Sequence, residues 1–164
     1  MIPETDQTGC CRAADLLAVL ARVTLAGVFL YMGLNKALHP VEFLKLVRQY
    51  DAIHSPFLLN LTASGLPWVE VFCGLLLLLG IAVRGTAVIL VAMLIPFTVL
   101  VLLRALAMSK AGGLPFCAIK FDCGCGTGEV LICRKLAENT LLMALSAALI
   151  FWQRGRFCLR YKVV

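Results

Sequence analysis

Four of the chain's eight cysteines fall within seventeen residues: Cys117, Cys123, Cys125 and Cys133. Cys123 and Cys125 are separated by Gly124 alone and followed by Gly126. Two thiols one residue apart can close a small disulfide ring, and the glycine permits the backbone angles such a ring demands. A strained, accessible disulfide is more oxidising than a structural one, which suits exchange with another protein. Lys120 favours a thiolate nearby, while Asp122 opposes it. Two other readings stand beside redox exchange. One is a structural disulfide that pins the loop, with Cys117 or Cys133 bonded to one of the pair. The other is a metal site, for which the four thiolates supply a complete ligand set. The spacings of five, one and seven intervening residues do not match a paired CxxC ribbon, so no metal is assigned. The leading reading makes Cys123 and Cys125 the reacting pair, with Cys117 and Cys133 forming at most a supporting bridge.

A second set of reactive groups lies within apolar stretches: Arg22, Lys36, Glu70 and Glu138. Ionisable side chains in such places usually face the interior of a helix bundle and pair with one another. The plainer reading is a Lys36–Glu70 bridge that joins two helices. The sharper one is a site under the cysteine loop for a quinone head group or a proton relay. Arg22 belongs to the opposite end and anchors its helix. Cys73, one turn after Glu70, reads as a small buried hydrophobe. Cys10, Cys11 and Cys158 read as reduced thiols.

The elements that must position these groups follow from composition. Of the 164 residues, 62% are hydrophobic and only 15% charged, well away from the proportions of a soluble domain. Arg84 and Arg104 bracket nineteen residues without a charge. At 1.5 Å per residue that run approaches the roughly 30 Å hydrocarbon core of a bilayer. An ordinary soluble enzyme, a coiled coil and a disordered chain are all excluded. The expected fold is an all-α membrane protein, a bundle of four transmembrane helices forming one integral domain over residues 1–164. Its spans are expected at 16–38, 67–83, 86–103 and 136–152.

His39-Pro40 stops the first span. Over Val41 to Ile53, Phe43, Leu44, Val47 and Tyr50 recur at helical spacing between polar residues, which predicts an interfacial amphipathic helix. The polar run Asn60 to Gly65 reads as a loop, Pro67 as the first turn of the second span, and Arg84-Gly85 as a tight return. Pro96 falls inside the third span. The long connection from Arg104 to Lys135 is the Cys-rich loop between the third and fourth helices. No basic region followed by a short apolar stretch opens the chain, so no cleaved leader is expected.

The net charge of +6 does not signal nucleic acid, because basic residues in a membrane chain mainly set its topology. Arg154, Arg156, Arg160 and Lys162 crowd the last eleven residues, against the end of the fourth span. That density places both termini in the cytoplasm and the cysteine loop outside. The expected location is a bacterial inner membrane, crossed several times, with membrane lipid as the constant partner.

Three stretches resemble the MauE/DoxX group. They are Arg22 to Lys36 (Arg-Val-Thr-Leu-Ala-Gly-Val-Phe-Leu-Tyr-Met-Gly-Leu-Asn-Lys), Pro67-Trp68-Val69-Glu70 with Gly74, and Asp122-Cys123-Gly124-Cys125-Gly126. The resemblance covers most of the chain and is most specific in the third stretch. It departs where Thr127 follows Gly126, a place that often carries phenylalanine in such loops. It implies a four-helix membrane protein associated with redox processes. MauE members are needed to mature a disulfide-rich periplasmic dehydrogenase subunit, and DoxX-type members accompany quinone-linked sulfur oxidation. The implied activity is that of a thiol–disulfide oxidoreductase or a quinone-linked redox subunit, with a quinone as the cofactor in view. Its partner would be a periplasmic thioredoxin-like or other redox protein, or the subunits of a membrane complex. The rival reading is a non-catalytic accessory subunit of a larger membrane redox complex, whose disulfides are structural.

Overall fold

The computed structural model describes residues 7–50, 55–112, 115–122 and 129–151. Five α-helices dominate: α1 (Gln7–Leu38), α2 (Pro40–Gln49), α3 (Pro56–Leu79), α4 (Val83–Gly112) and α5 (Ile132–Phe151). Between α4 and α5 lie a single 3-10 turn (Phe116–Ala118) and two short strands, β1 (Lys120–Asp122) and β2 (Glu129–Leu131). The strands pair antiparallel, with Lys120 opposite Leu131 and Asp122 opposite Glu129.

Among the described residues, three helices are long and apolar enough to cross a membrane: Leu16–Leu38, Pro56–Leu79 and Val83–Lys110. The large apolar side chains they turn outward, among them Leu17, Phe57, Trp68, Phe72 and Leu103, would be a liability in water and suit a lipid environment. The expected fourth span corresponds to α5. It has 20 residues, but Arg134, Lys135 and Glu138 crowd its first turns, and it is not among the three.

The helix boundaries correct the sequence reading in four places. Residues 60–65, expected as a loop, are helical, because α3 begins at Pro56 rather than Pro67. Pro56 takes the first turn, where its missing N–H costs nothing. The Ser64 hydroxyl donates back to the Asn60 carbonyl at 2.8 Å, which lets a polar residue remain within the helix. Pro67 therefore sits inside α3, which membrane helices tolerate where neighbours pack closely. The return to the next helix lies at 80–82, not at Arg84-Gly85, which are already helical. Gly80 adopts φ +73°, its N–H bonds the Leu77 carbonyl and that of Ile81 bonds Leu76. This is the left-handed helix ending that glycine supports best. Finally, α4 continues to Gly112 and α5 starts at Ile132, so the loop expected from 104 to 135 shrinks and contains the strand pair.

α1 packs along α3 and α4 along α5, while the two pairs touch over much shorter stretches. The first seam is close because glycines remove side chains from it. A Cβ at Gly33 would lie 2.8 Å from Val71 Cγ2 and 2.9 Å from the Pro67 carbonyl oxygen. One at Gly74 would lie 2.8 Å from Leu30 Cγ. As positions rise along α1 their partners fall along α3, so the pair is antiparallel. Leu25, Ala26, Phe29, Cys73, Leu77, Leu90 and Leu149 form the core that joins both pairs.

Candidate functional site

The α1–α3 register brings two ionisable residues together inside the bundle. Lys36 lies one turn beyond Gly33, and its side chain slopes back towards Glu70, which stands between Pro67 and Gly74. Lys36 Nζ donates to Glu70 Oε1 at 2.6 Å, and both side chains are almost completely buried. The ammonium also faces two rings, 5.3 Å from the Phe43 centroid on α2 and 6.0 Å from that of Phe97 on α4. These distances suit cation–π attraction, which strengthens away from water. Burying an ion pair this deeply incurs desolvation, and losing either partner leaves an uncompensated charge.

α5 adds a second layer. Lys135 is 3% exposed and lies within electrostatic reach of Glu70. It also pairs with Glu138 Oε2 at 3.7 Å, while Arg134 Nε donates to Glu138 Oε1 at 2.9 Å from the outer side. One turn on, Asn139 is 1% exposed and donates from Nδ2 to Thr98 Oγ1 of α4 at 3.3 Å. Glu70 Oε2 and Asn139 Oδ1 are buried with no hydrogen-bond partner among the described residues. Lys135, Asn139 and Thr98 were not singled out by the sequence reading. The signal available was the Lys135–Glu138–Asn139 spacing, which puts three polar groups on one helical face.

The strand pair closes over this region. Val130 of β2 packs with Met32 of α1 and Phe97 of α4. Ile119 is buried against Ala105 of α4 and Ile132 of α5, and the Ile132 N–H bonds the Ile119 carbonyl at 3.2 Å. Cys117 and Cys133 form a disulfide with Cα atoms 5.1 Å apart, tying the 3-10 turn to the first turn of α5. The two outer cysteines of the cluster are thus bonded to each other, which leaves neither of them as a thiolate for a four-thiolate metal set. Cys123 and Cys125 occupy the connection between β1 and β2 and lie outside the described residues, as do Cys158 and the side chains of Cys10 and Cys11. Cys73 is a free thiol enclosed by the apolar core.

Arg22 stands at the other end of the α1–α3 pair. Its Nη1 is 2.8 Å from where a Cβ at Gly80 would be, so the guanidinium lies over the carbonyl end of α3. A cation there complements the negative end of the helix dipole.

Apolar spanning helices, buried ionic groups within them and a disulfide-closed strand pair define a multi-pass helical membrane protein. Residues 14–153 match the family described as Methylamine utilisation protein MauE. The chain belongs to the MauE family. No curated protein and no solved structure matches it.

Proposed function

We propose that the protein carries out thiol–disulfide exchange at the outer face of a bacterial inner membrane. Cys123 and Cys125 act as the redox pair and pass electrons between a periplasmic partner and either a quinone or a membrane redox complex. The termini are cytoplasmic, and α5 completes four crossings. The observation that carries the reading is the Cys117–Cys133 disulfide, which brackets the segment bearing Cys123 and Cys125. Such bonds persist in oxidising compartments, so it favours an extracytoplasmic strand pair. A disulfide-rich periplasmic client, of the kind that MauE members serve, fits a thioredoxin-like or other redox partner.

The test is the thiol state of Cys123 and Cys125 in the native membrane, trapped before lysis. After mild reduction, membrane-impermeant thiol reagents should label one of them in spheroplasts and spare Cys158. Replacing either with serine should abolish client oxidation, and one single variant should trap a mixed disulfide with the partner. The same bond also favours the second reading, an accessory subunit, because it ties two ends of one short segment together. A Cys123→Ser/Cys125→Ser protein that assembles and supports full client maturation would establish that reading instead.

A further inference from the structure

The two rings that wall the Lys36 ammonium differ in how firmly they are held. Phe97 belongs to α4, a long apolar helix, and packs against Met32 of α1. Phe43 is the nearer ring, its centroid 5.3 Å from Lys36 Nζ, and belongs to α2, which has only ten residues. Within α2, Phe43 alone is fully buried. Leu44, Leu46 and Val47 are half-buried, while Glu42, Lys45 and Arg48 are exposed. A helix this short is marginal in water on its own, so its place depends on what it docks against. Its attachment to α1 is one bend. The His39 N–H bonds the Asn35 carbonyl, the Phe43 N–H bonds the His39 carbonyl, and His39 itself turns to φ −120°, ψ 58° before Pro40. A single residue between two helices that absorbs the change of direction is the usual form of a hinge.

What lies behind Phe43 gives the hinge a use. Lys36 and Glu70 are each 5% exposed, and Glu70 Oε2 has no hydrogen-bond partner among the described residues. With α2 docked, the protein gains the burial of the ring and its attraction to the ammonium. With α2 swung away, water hydrates the ion pair and supplies the donor that Oε2 lacks. These terms oppose one another and are of similar size, which makes docking reversible. We propose that α2 is a hinged lid over the Lys36–Glu70 pair, latched by the Phe43 ring on the Lys36 ammonium, and that its opening admits water to the buried carboxylate. The Phe97 wall stays in place when the lid moves, because α4 carries it. The device does not rest on the cysteine reading.

The test is the rate at which sulfosuccinimidyl acetate, a water-soluble and membrane-impermeant reagent, acetylates Lys36 of the full chain in lipid nanodiscs, read by peptide mass spectrometry. Two other lysines serve as references in the same molecules. Lys45 is exposed and calibrates the reagent, while Lys135 is 3% exposed on α5 and reports loosening of the bundle as a whole. Phe43→Ala removes the latch and should speed Lys36 about tenfold, with Lys135 changed by no more than about twofold. Phe43→Leu keeps an apolar side chain but loses the ring, and should speed Lys36 about threefold. Gly80→Ala strains the far end of the bundle and should leave the Lys36 rate within about twofold of the parent. An unchanged Lys36 rate in Phe43→Ala overturns the proposal. So does an equal rise at Lys135, or a Gly80→Ala protein that reacts as fast as Phe43→Ala, because Lys36 would then be reached only by unfolding. Should Phe43→Ala fail to assemble, Phe43→Leu decides by the same two ratios.

Discussion

The two ends of the α1–α3 pair solve the same problem differently. Each holds a basic side chain of α1 against α3 in an apolar setting. At the strand-pair end, Lys36 meets one carboxylate oxygen at 2.6 Å, deep in the protein and flanked by two rings. At the turn end, the Arg22 guanidinium lies half-buried over the carbonyl terminus of α3, beside Gly80. A carboxylate is a single point of charge that must be met at one distance. A helix terminus spreads its negative potential over several carbonyls and accepts a range of positions. The first end should therefore be specific and brittle, and the second tolerant.

The largest effect should come from breaking the specific end. Glu70→Gln leaves the Lys36 ammonium buried without its counter-charge, and such losses run to roughly 3–5 kcal/mol. Lys36→Met/Glu70→Met removes both charges and should recover part of the deficit. Unfolding in mixed micelles measures the cycle, and simple additivity of the two single changes would mean that the pair is not coupled.

Next in size is the disulfide. Opening the Cys117–Cys133 bond, whose partners are 16 residues apart, should cost about 3 kcal/mol on the loop-entropy estimate. The damage should remain local. In Cys117→Ser/Cys133→Ser, amide exchange should quicken around β2 and the start of α5 and stay unchanged at the 80–82 turn. Equal acceleration at both ends would show that the bundle opens as one unit and that its ends are not independent.

Much of this contrast was legible in the sequence, and the reasons for the rest are physical. The third span stood out because nineteen uncharged residues between Arg84 and Arg104 mark it without help from neighbours, and the first, Leu16 to Leu38, because His39-Pro40 ends its apolar stretch. The charges at Lys36 and Glu70 were conspicuous for the same reason. The start of α3 was not, because Asn60, Thr62 and Ser64 look like a loop until the Ser64 hydroxyl is seen bonding within the helix. Nor were Lys135 and Asn139, whose spacing is equally that of a solvated helix face. Their burial depends on α4 and β2 arriving from elsewhere. The strand pair escaped notice because three-residue strands flanking a glycine-rich connection carry almost no periodic signal.

A smaller effect tests whether glycine sets the spacing on which the specific end depends. Gly33→Ala must push aside Val71 or the Pro67 carbonyl and should cost about 1–3 kcal/mol. Gly27 lies on the same helix with open space around its Cβ position. Gly27→Ala should be neutral or stabilising by up to about 1 kcal/mol, the helix preference of alanine over glycine. Similar losses at both positions would mean that the seam is not closely packed at Gly33, and the short Lys36–Glu70 contact would need another cause.

The smallest effect belongs to the tolerant end. Gly80→Ala places a side chain at φ +73°, which should cost about 1–2 kcal/mol from backbone strain. The new methyl group also approaches Arg22 Nη1, but that atom is the far end of a flexible side chain and can move aside. Arg22→Lys keeps a cation over the α3 terminus and should change stability by no more than about 1 kcal/mol, the scale of a charge at a helix terminus. Because the strain belongs to the Gly80 backbone and not to the contact, the two substitutions should add within about 0.5 kcal/mol. The contrasting result is rescue. If Arg22→Lys restores most of what Gly80→Ala loses, the guanidinium is held as rigidly as the Lys36 ammonium, and the turn end is no more forgiving than the other.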